Sequence, residues 1–459
     1  MKRGMLAVAA LVACCAAPAW GRDVCQMLKD KGLLNDVEFN ECRASVEREA
    51  ADSDKKTQDV LASKWPKWLD MFVPFGDFRF RQEGFYEKGM VANNRFRIRG
   101  RLGLLVNPID EVQAGFRIAT GNPNDPISTN QTLGSEFTRK SISLDWAFLN
   151  LRPYKVFGWD RPYVGVTGGK FQVPAFRPSE LVWDDDLSPE GGAEVFSLVE
   201  SKEGFWRSVK VHTFQWTVDQ IRADADPWMW GGQAAADMAF GSTAMWTAAL
   251  ANYNYQGMNA VAKGPLNPKN SNFNSALANS NDVITQPNGA ITAYKYQFNI
   301  FNVNSDLDFS NPFGVGIPAG AFFDFAYNTQ AATRNLGVYL GAGLGNARRD
   351  FYHDSLRNAG DWGASVTWVY VEKDAVLSLF SYSDFQYIQT NAPPKSNATL
   401  LGSTNVQGAI VRFDYAPWSF VQLTAKAHII NALDRAINNA PLVGNPTLVR
   451  TQFDAVVKF

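Results

Sequence analysis

From Gly76 to the C-terminal Phe459, apolar and polar residues alternate in stretches separated by Gly, Pro, Asn and Asp. An alternation of period two puts the apolar set on one face of a strand and the polar set on the other. Sixteen such strands are predicted. The first two cover 76–86 and 94–106. In the third, Val112, Ala114, Phe116 and Ile118 alternate with Gln113 and Arg117. In the fourth, Ile142, Leu144, Trp146 and Phe148 are assigned to the outer face against Ser143 and Asp145. The fifth to ninth fall near 162–170, 192–200, 209–212, 230–240 and 243–254. The tenth sets Tyr296, Phe298 and Ile300 outward against Lys295, Gln297 and Asn299. Five more run near 321–328, 336–345, 362–370, 409–415 and 421–429, and the last covers 448–459. Short and long connections broadly alternate. An even count with this rhythm is the signature of an all-β fold, a transmembrane antiparallel β-barrel of about 16 strands. A soluble β-sandwich also alternates, but its apolar face must meet a second sheet. The signal segment described below and the lack of a second class of element favour the closed barrel.

One stretch departs from the ordinary alternation. In Asn94–Leu102, Arg95, Arg97, Arg99 and Arg101 occupy every second position, with Phe96, Ile98, Gly100 and Leu102 between them. A helix would scatter these guanidinium groups around its axis, whereas a strand gathers them on one face. The first strand repeats the pattern, with Arg79 and Arg81 alternating with Phe78 and Phe80. An arginine facing lipid at mid-depth costs roughly 2–4 kcal/mol, so the row is assigned to the lumen. Arg117 on the third strand is placed with it. Fixed charges this close need acidic partners or bound anions.

The N-terminus differs from the rest. Lys2 and Arg3 precede an apolar run from Met5 to Pro18, and Ala19-Trp20-Gly21 supplies small residues at a cleavage site. Residues 1–21 therefore read as a secretory signal. Beyond residue 22 no run approaches the 18 or so apolar residues of a membrane helix. Residues 22–70 read as a short helical segment and linker, and 71–459 as the barrel. Cys14 and Cys15 leave with the signal. Cys25 and Cys42 are the mature cysteines, and a disulfide between them is expected in an oxidising compartment, two free thiols being the alternative. Lys plus Arg is 44 and Asp plus Glu is 45, so bulk charge does not mark a nucleic-acid binder. The 14 Trp and 32 Phe suit the aromatic girdles of a membrane barrel. His212, His353 and His428 are far apart in sequence, so neither a metal site nor a cofactor is expected.

The C-terminal run Arg450–Phe459 places Phe453, Ala455, Val457 and Phe459 on one face. It resembles the last strand of bacterial outer-membrane proteins. That resemblance implies that Phe453, Val457 and Phe459 form a signal for the barrel-assembly machinery. Further stretches are Phe75–Arg81, Arg95–Arg99, Leu181–Gly191, Gly360-Asp361-Trp362, Asp374-Ala375-Val376, Ser383-Asp384-Phe385 and Gly402–Gly408. Through them the chain resembles the putative porins of Gram-negative bacteria over most of residues 25–459. The resemblance implies an outer-membrane location with the helical segment in the periplasm. It also implies contact with outer-membrane lipid, a homotrimer, and passive diffusion of small hydrophilic solutes or ions. General porins with sixteen strands fold the connection after their fifth strand into the pore. The tract 171–192 stands at that place.

Asp184, Asp185, Asp186 and Glu190 would then face the arginine row across the constriction. Phe171, Val173, Phe176, Leu181 and Trp183 would seat the tract against the inner wall. A simple solvated outer loop is the alternative. The tract 372–404 is too apolar around Ala375–Phe380 for an exposed tip, and it reads as a second inward loop or a cap on a subunit contact. A surface enzyme or an adhesin is the competing function. The long polar stretch 255–292 would serve an adhesin. An enzyme lacks a recognisable nucleophile and base around His212 or His428.

Overall fold

The computed structural model describes residues 66–88, 91–221, 224–265, 279–346, 358–390, 398–434, 436–437, 440–441 and 447–459. The signal segment and the Cys25–Cys42 pair lie outside the described residues, as does His353. The chain divides into two units at Met71/Phe72. Of the first, a short 3-10 helix at Lys67–Met71 is described. The second is the barrel.

The barrel strands are β1 (Phe72–Glu87), β2 (Asn93–Ile109), β3 (Val112–Thr120), β4 (Ile142–Leu151), β5 (Val164–Lys170), β6 (Glu190–Glu200), β7 (Trp206–Thr217) and β8 (Trp228–Phe240). They continue with β9 (Ala244–Gln256), β10 (Asn299–Phe309), β11 (Ala319–Asn328), β12 (Leu336–Gly345), β13 (Trp362–Val371), β14 (Val406–Trp418), β15 (Val421–Ala432) and β16 (Thr447–Lys458). Each pairs antiparallel with its sequence neighbours. The barrel closes where β1 pairs with both β2 and β16. Closure leaves no unpaired strand edge, which is what a sheet needs to sit in hydrocarbon. The two-residue strand Gln131–Thr132 is an appendage on β2.

Alternation set the faces nearly everywhere. Phe78, Phe80, Phe96, Leu102 and Phe116 are exposed on the outer wall, as are Leu340, Trp368, Phe413, Phe453, Val457 and Phe459. Two strands differ from the sequence reading. In β4, Arg117 pairs with Trp146 but Ile118 pairs with Leu144, so Asp145 is an extra residue. This bulge reverses the faces after it, as a one-residue slip must. Trp146 and Phe148 turn inward, where the Phe148 ring lies against the Cα of Gly115, and Leu149 and Leu151 take the outer face. In the tenth strand the faces are reversed as well: Ile300 is fully buried inside the barrel and Phe301 is outside.

The reason for that reversal is that the barrel interior is not uniformly polar. The β5–β6 connection 171–189 folds into it, as do parts of the β13–β14 connection 372–405 and the β9–β10 connection 257–298. Trp183 lies 5.2 Å from the rings of Trp216 and Tyr253 and 6.1 Å from that of Phe380. Leu181, Ala375, Val376, Leu377 and Leu379 join the same buried cluster, with inward residues of β7 to β13 such as Phe214, Met229, Ile300 and Tyr339. Apolar side chains facing inward here are covered by other apolar groups rather than by water. The short helix Met258–Lys263 adds Met258, Val261 and Ala262 to the cluster.

The contact with the wall is close. A Cβ on Gly337 would stand 3.0 Å from Leu181 Cδ1 and 3.5 Å from Ala375 Cβ. Gly337→Val is therefore expected to push the inward connections off β12 and cost about 1–3 kcal/mol by overpacking. Thermal unfolding in detergent, followed by gel mobility, checks this; an unchanged midpoint would show that the wall and the connections are loosely packed.

Candidate functional site

The arginine row lies on the inner face. Pairing of β1 with β2 sets Arg79 opposite Arg99 and Arg81 opposite Arg97, with Asp77 opposite Arg101 and Glu83 opposite Arg95. Like charges directly opposed destabilise a sheet. Acidic residues at both ends of the β1 row relieve this. Asp77 accepts hydrogen bonds from Arg99 at 2.8 Å and Arg101 at 2.6 Å. Glu83 is fully buried; it accepts from Arg95, and from Arg450 Nε at 2.8 Å, and stands 3.8 Å from Arg97. Asp454, across the closing seam on β16, holds Arg81 through two hydrogen bonds of 2.7 and 2.8 Å. Arg79 donates to Asn130 at 2.6 Å and Arg97 to Ser128 at 3.2 Å. Arg117 donates to Asp145 at 2.5 Å, and its guanidinium carbon stands 3.4 Å from the Trp146 ring centroid. The β4 bulge is what brings both partners to it.

The four acidic residues of the sequence reading separate. Asp186 reaches the arginines, 3.4 Å from Arg101 and 3.9 Å from Arg99, and accepts from the Thr129 amide. Burial works against its charge, but Arg99, Arg101 and Arg79 outweigh it and hold the carboxyl below its usual range. Asp184 turns away from the row and accepts from the Ser383 and Asp186 amides, each at 2.8 Å. Burial, with Asp186 beside it, pushes Asp184 well above the usual carboxylate range. Asp185 pairs with Arg177 at 2.6 Å. Glu190 opens β6, is exposed, and pairs with Lys170 at 2.8 Å.

Several charged groups of this region were not singled out from sequence. Asp77 and Glu83 share the parity of Arg79 and Arg81 and were legible by the same alternation. Arg450 and Asp454 alternate with Phe453, and Arg412 and Lys426 share the inward parity of their strands. Asp384 carries no such signal. It comes from the β13–β14 connection and binds both Arg81 at 2.9 Å and Arg450 at 2.7 Å. Glu180 also lies on an inward connection, buried, with its Oε1 accepting from the Asp185 amide. Of these groups Asp77, Lys426, Asp384 and Glu180 border a cavity of about 530 Å³ between β1, β2, β3 and β15 on one side and the connections 171–189 and 382–384 on the other. Aromatic residues Phe75, Trp146 and Tyr382 share its lining.

A family model described as "Putative porin" matches residues 86–292 and 272–402. No curated protein matches the chain. Among solved structures, Pseudomonas putida OprB at high pH is 11% identical with a TM-score of 0.51, covering 86% of this chain and 96% of that one. Salmonella typhi OmpF in complex with daunomycin is 11% identical with a TM-score of 0.44, covering 84% and 97%. The trimer form of in-vitro folded Vibrio cholerae OmpT is 9% identical with a TM-score of 0.42, covering 85% and 100%. The OprB likeness supports the barrel fold and nothing finer.

Proposed function

Because the chain belongs to the putative porin family, we propose that its barrel is an outer-membrane channel for passive diffusion of small hydrophilic solutes and ions, constricted between the arginine row and the inward connection 171–189. The observation that carries this reading is a closed barrel, apolar outside, whose charged inner groups border a cavity. Rings and rows of fixed charge in a confined aqueous path set which ions enter. Arg79, Arg81, Arg95, Arg97, Arg99, Arg101 and Arg117 are the cationic side of the path. Asp186 contacts that side directly, while Asp184, Asp185 and Glu190 act further from it.

Residues 22–70 sit in the periplasm, the subunits form a trimer, and Phe453, Val457 and Phe459 guide insertion. A channel is favoured over an adhesin or a surface enzyme by the family.

Two measurements in planar bilayers test this. Single-channel recording of purified protein should show open-pore steps; their absence would return the adhesin or enzyme to first place. Arg97→Gln with Arg99→Gln should move the reversal potential under a salt gradient toward cation preference, and Asp186→Asn should move it toward anions. An unmoved potential in both would remove these groups from the permeation path.

A further inference from the structure

Most cations of the lumen are matched by named carboxylates. Arg412 is held by Asp414 through hydrogen bonds of 2.6 and 2.9 Å, Arg81 by Asp454 and Asp384, and Arg450 by Glu83 and Asp384. Lys426 on β15 is one that is not. It borders the 530 Å³ cavity and is only 9% exposed, yet its ammonium has no hydrogen-bond or ion-pair partner among the described residues. The acids nearest to it, Asp384 and Asp454, are already engaged by Arg81, and Asp384 by Arg450 as well. Glu180 is also close. Burial and the neighbouring Asp185 and Asp184 carboxyls push Glu180 well above the usual carboxylate range, and it forms no ion pair with the lysine.

An ammonium that faces the cavity on a largely buried side chain, with no protein partner, attracts an anion entering that space. Arg79, Arg99 and Arg101 border the same space, Arg99 and Arg101 already hydrogen-bonded to Asp77. The shape of the space narrows the anion further. A volume of 530 Å³ lies in the range of small-molecule sites, about 300–1,000 Å³, and is far larger than an inorganic ion requires. Phe75 and Trp146, with ring centroids 5.6 Å apart, give it an apolar aromatic part beside the cationic part.

We propose that the cavity is a solute-binding site within the channel, taking a small organic anion whose carboxylate meets Lys426 and the neighbouring arginines while its apolar body lies along Phe75 and Trp146. This rests on the channel reading above. The protein then passes such anions by transient, saturable binding rather than by unselective sieving.

Benzoate is the probe, with acetate and inorganic phosphate as comparisons. Benzoate should reduce single-channel current in potassium chloride along a saturating curve, and acetate and phosphate should do so far more weakly. Calorimetric titration of the folded protein in detergent should show the same order of binding, whether or not pores open. Lys426→Gln should raise the half-effective benzoate concentration about tenfold, the weight of one charge-assisted hydrogen bond, and Lys426→Arg should restore most of it. Open pores with no benzoate effect and no heat of binding would overturn the site while leaving the channel intact. Phosphate or acetate acting as strongly as benzoate would overturn the organic-anion assignment. Benzoate binding by calorimetry without open-pore steps would keep the site and overturn the channel.

Discussion

Replacing Glu83 with Gln is expected to lower the unfolding midpoint of the detergent-solubilised barrel by roughly 5 °C or more and to shift its ion preference toward anions. Glu83 has no exposed surface and meets three guanidinium groups from two different strands, Arg95 and Arg97 on β2 and Arg450 on β16. It also accepts from Gln452 at 2.9 Å. The side chain thus ties together the seam where the barrel closes. Removing one member of a buried ion network costs about 3–5 kcal/mol, chiefly because the remaining charges stay buried without compensation. Glutamine keeps the shape and one acceptor, so the loss isolates the charge. Gel mobility against temperature and reversal potential under a salt gradient report the two effects. A midpoint unchanged within a degree would mean that water or ions already compensate the three arginines.

The second large effect is expected from Asn281→Ala. Asn281 is fully buried and donates to the carbonyls of Lys373 at 2.6 Å and Val376 at 2.7 Å, while accepting from the Ser378 amide at 3.0 Å. Ser280 extends the contact, with its amide donating to Ser378 Oγ at 3.1 Å and its hydroxyl 2.7 Å from that of Thr404. Alanine would leave two carbonyls and one amide buried without partners, at about 1–3 kcal/mol each. The connection 372–386 is the element released. Because its residues 382–384 border the cavity and contact Asp184 and Arg450, loosening it should widen the path. Single-channel conductance is expected to rise at least about twofold with noisier open levels, as a packed interior element gains alternative positions. Conductance and noise equal to those of the unaltered protein would show that this segment does not limit the channel.

The strand reading succeeded where each strand had water-facing polar groups on one side and lipid-facing apolar groups on the other. That held for β1 and β2, where Arg79, Arg81 and the four arginines of β2 share the inner face. It failed for Trp146 and Phe148 because a bulge adds one residue at Asp145 without any mark in the local sequence. It failed for Phe298 and Ile300 for a different reason. Their apolar side chains face a filled interior, so the assumption that apolar means outward no longer applies. The acidic tract was recognised as a charged group and as an inward connection, but not as four residues with separate partners. Such partners depend on which backbone amides and guanidinium groups the fold brings within reach.

The sequence by itself determined the barrel, the inner position of the arginine row and the outward C-terminal row, because each follows from period-two alternation and the cost of charge in hydrocarbon. Only the tertiary structure decided that Arg79 stands against Arg99, that Glu83 joins β2 to β16, and that one side of the interior is an apolar core. It alone left Lys426 without a carboxylate. These facts depend on strand register and on where long connections fold back. Both are set by contacts between residues up to 373 positions apart, as between Arg81 and Asp454, and no local pattern encodes them.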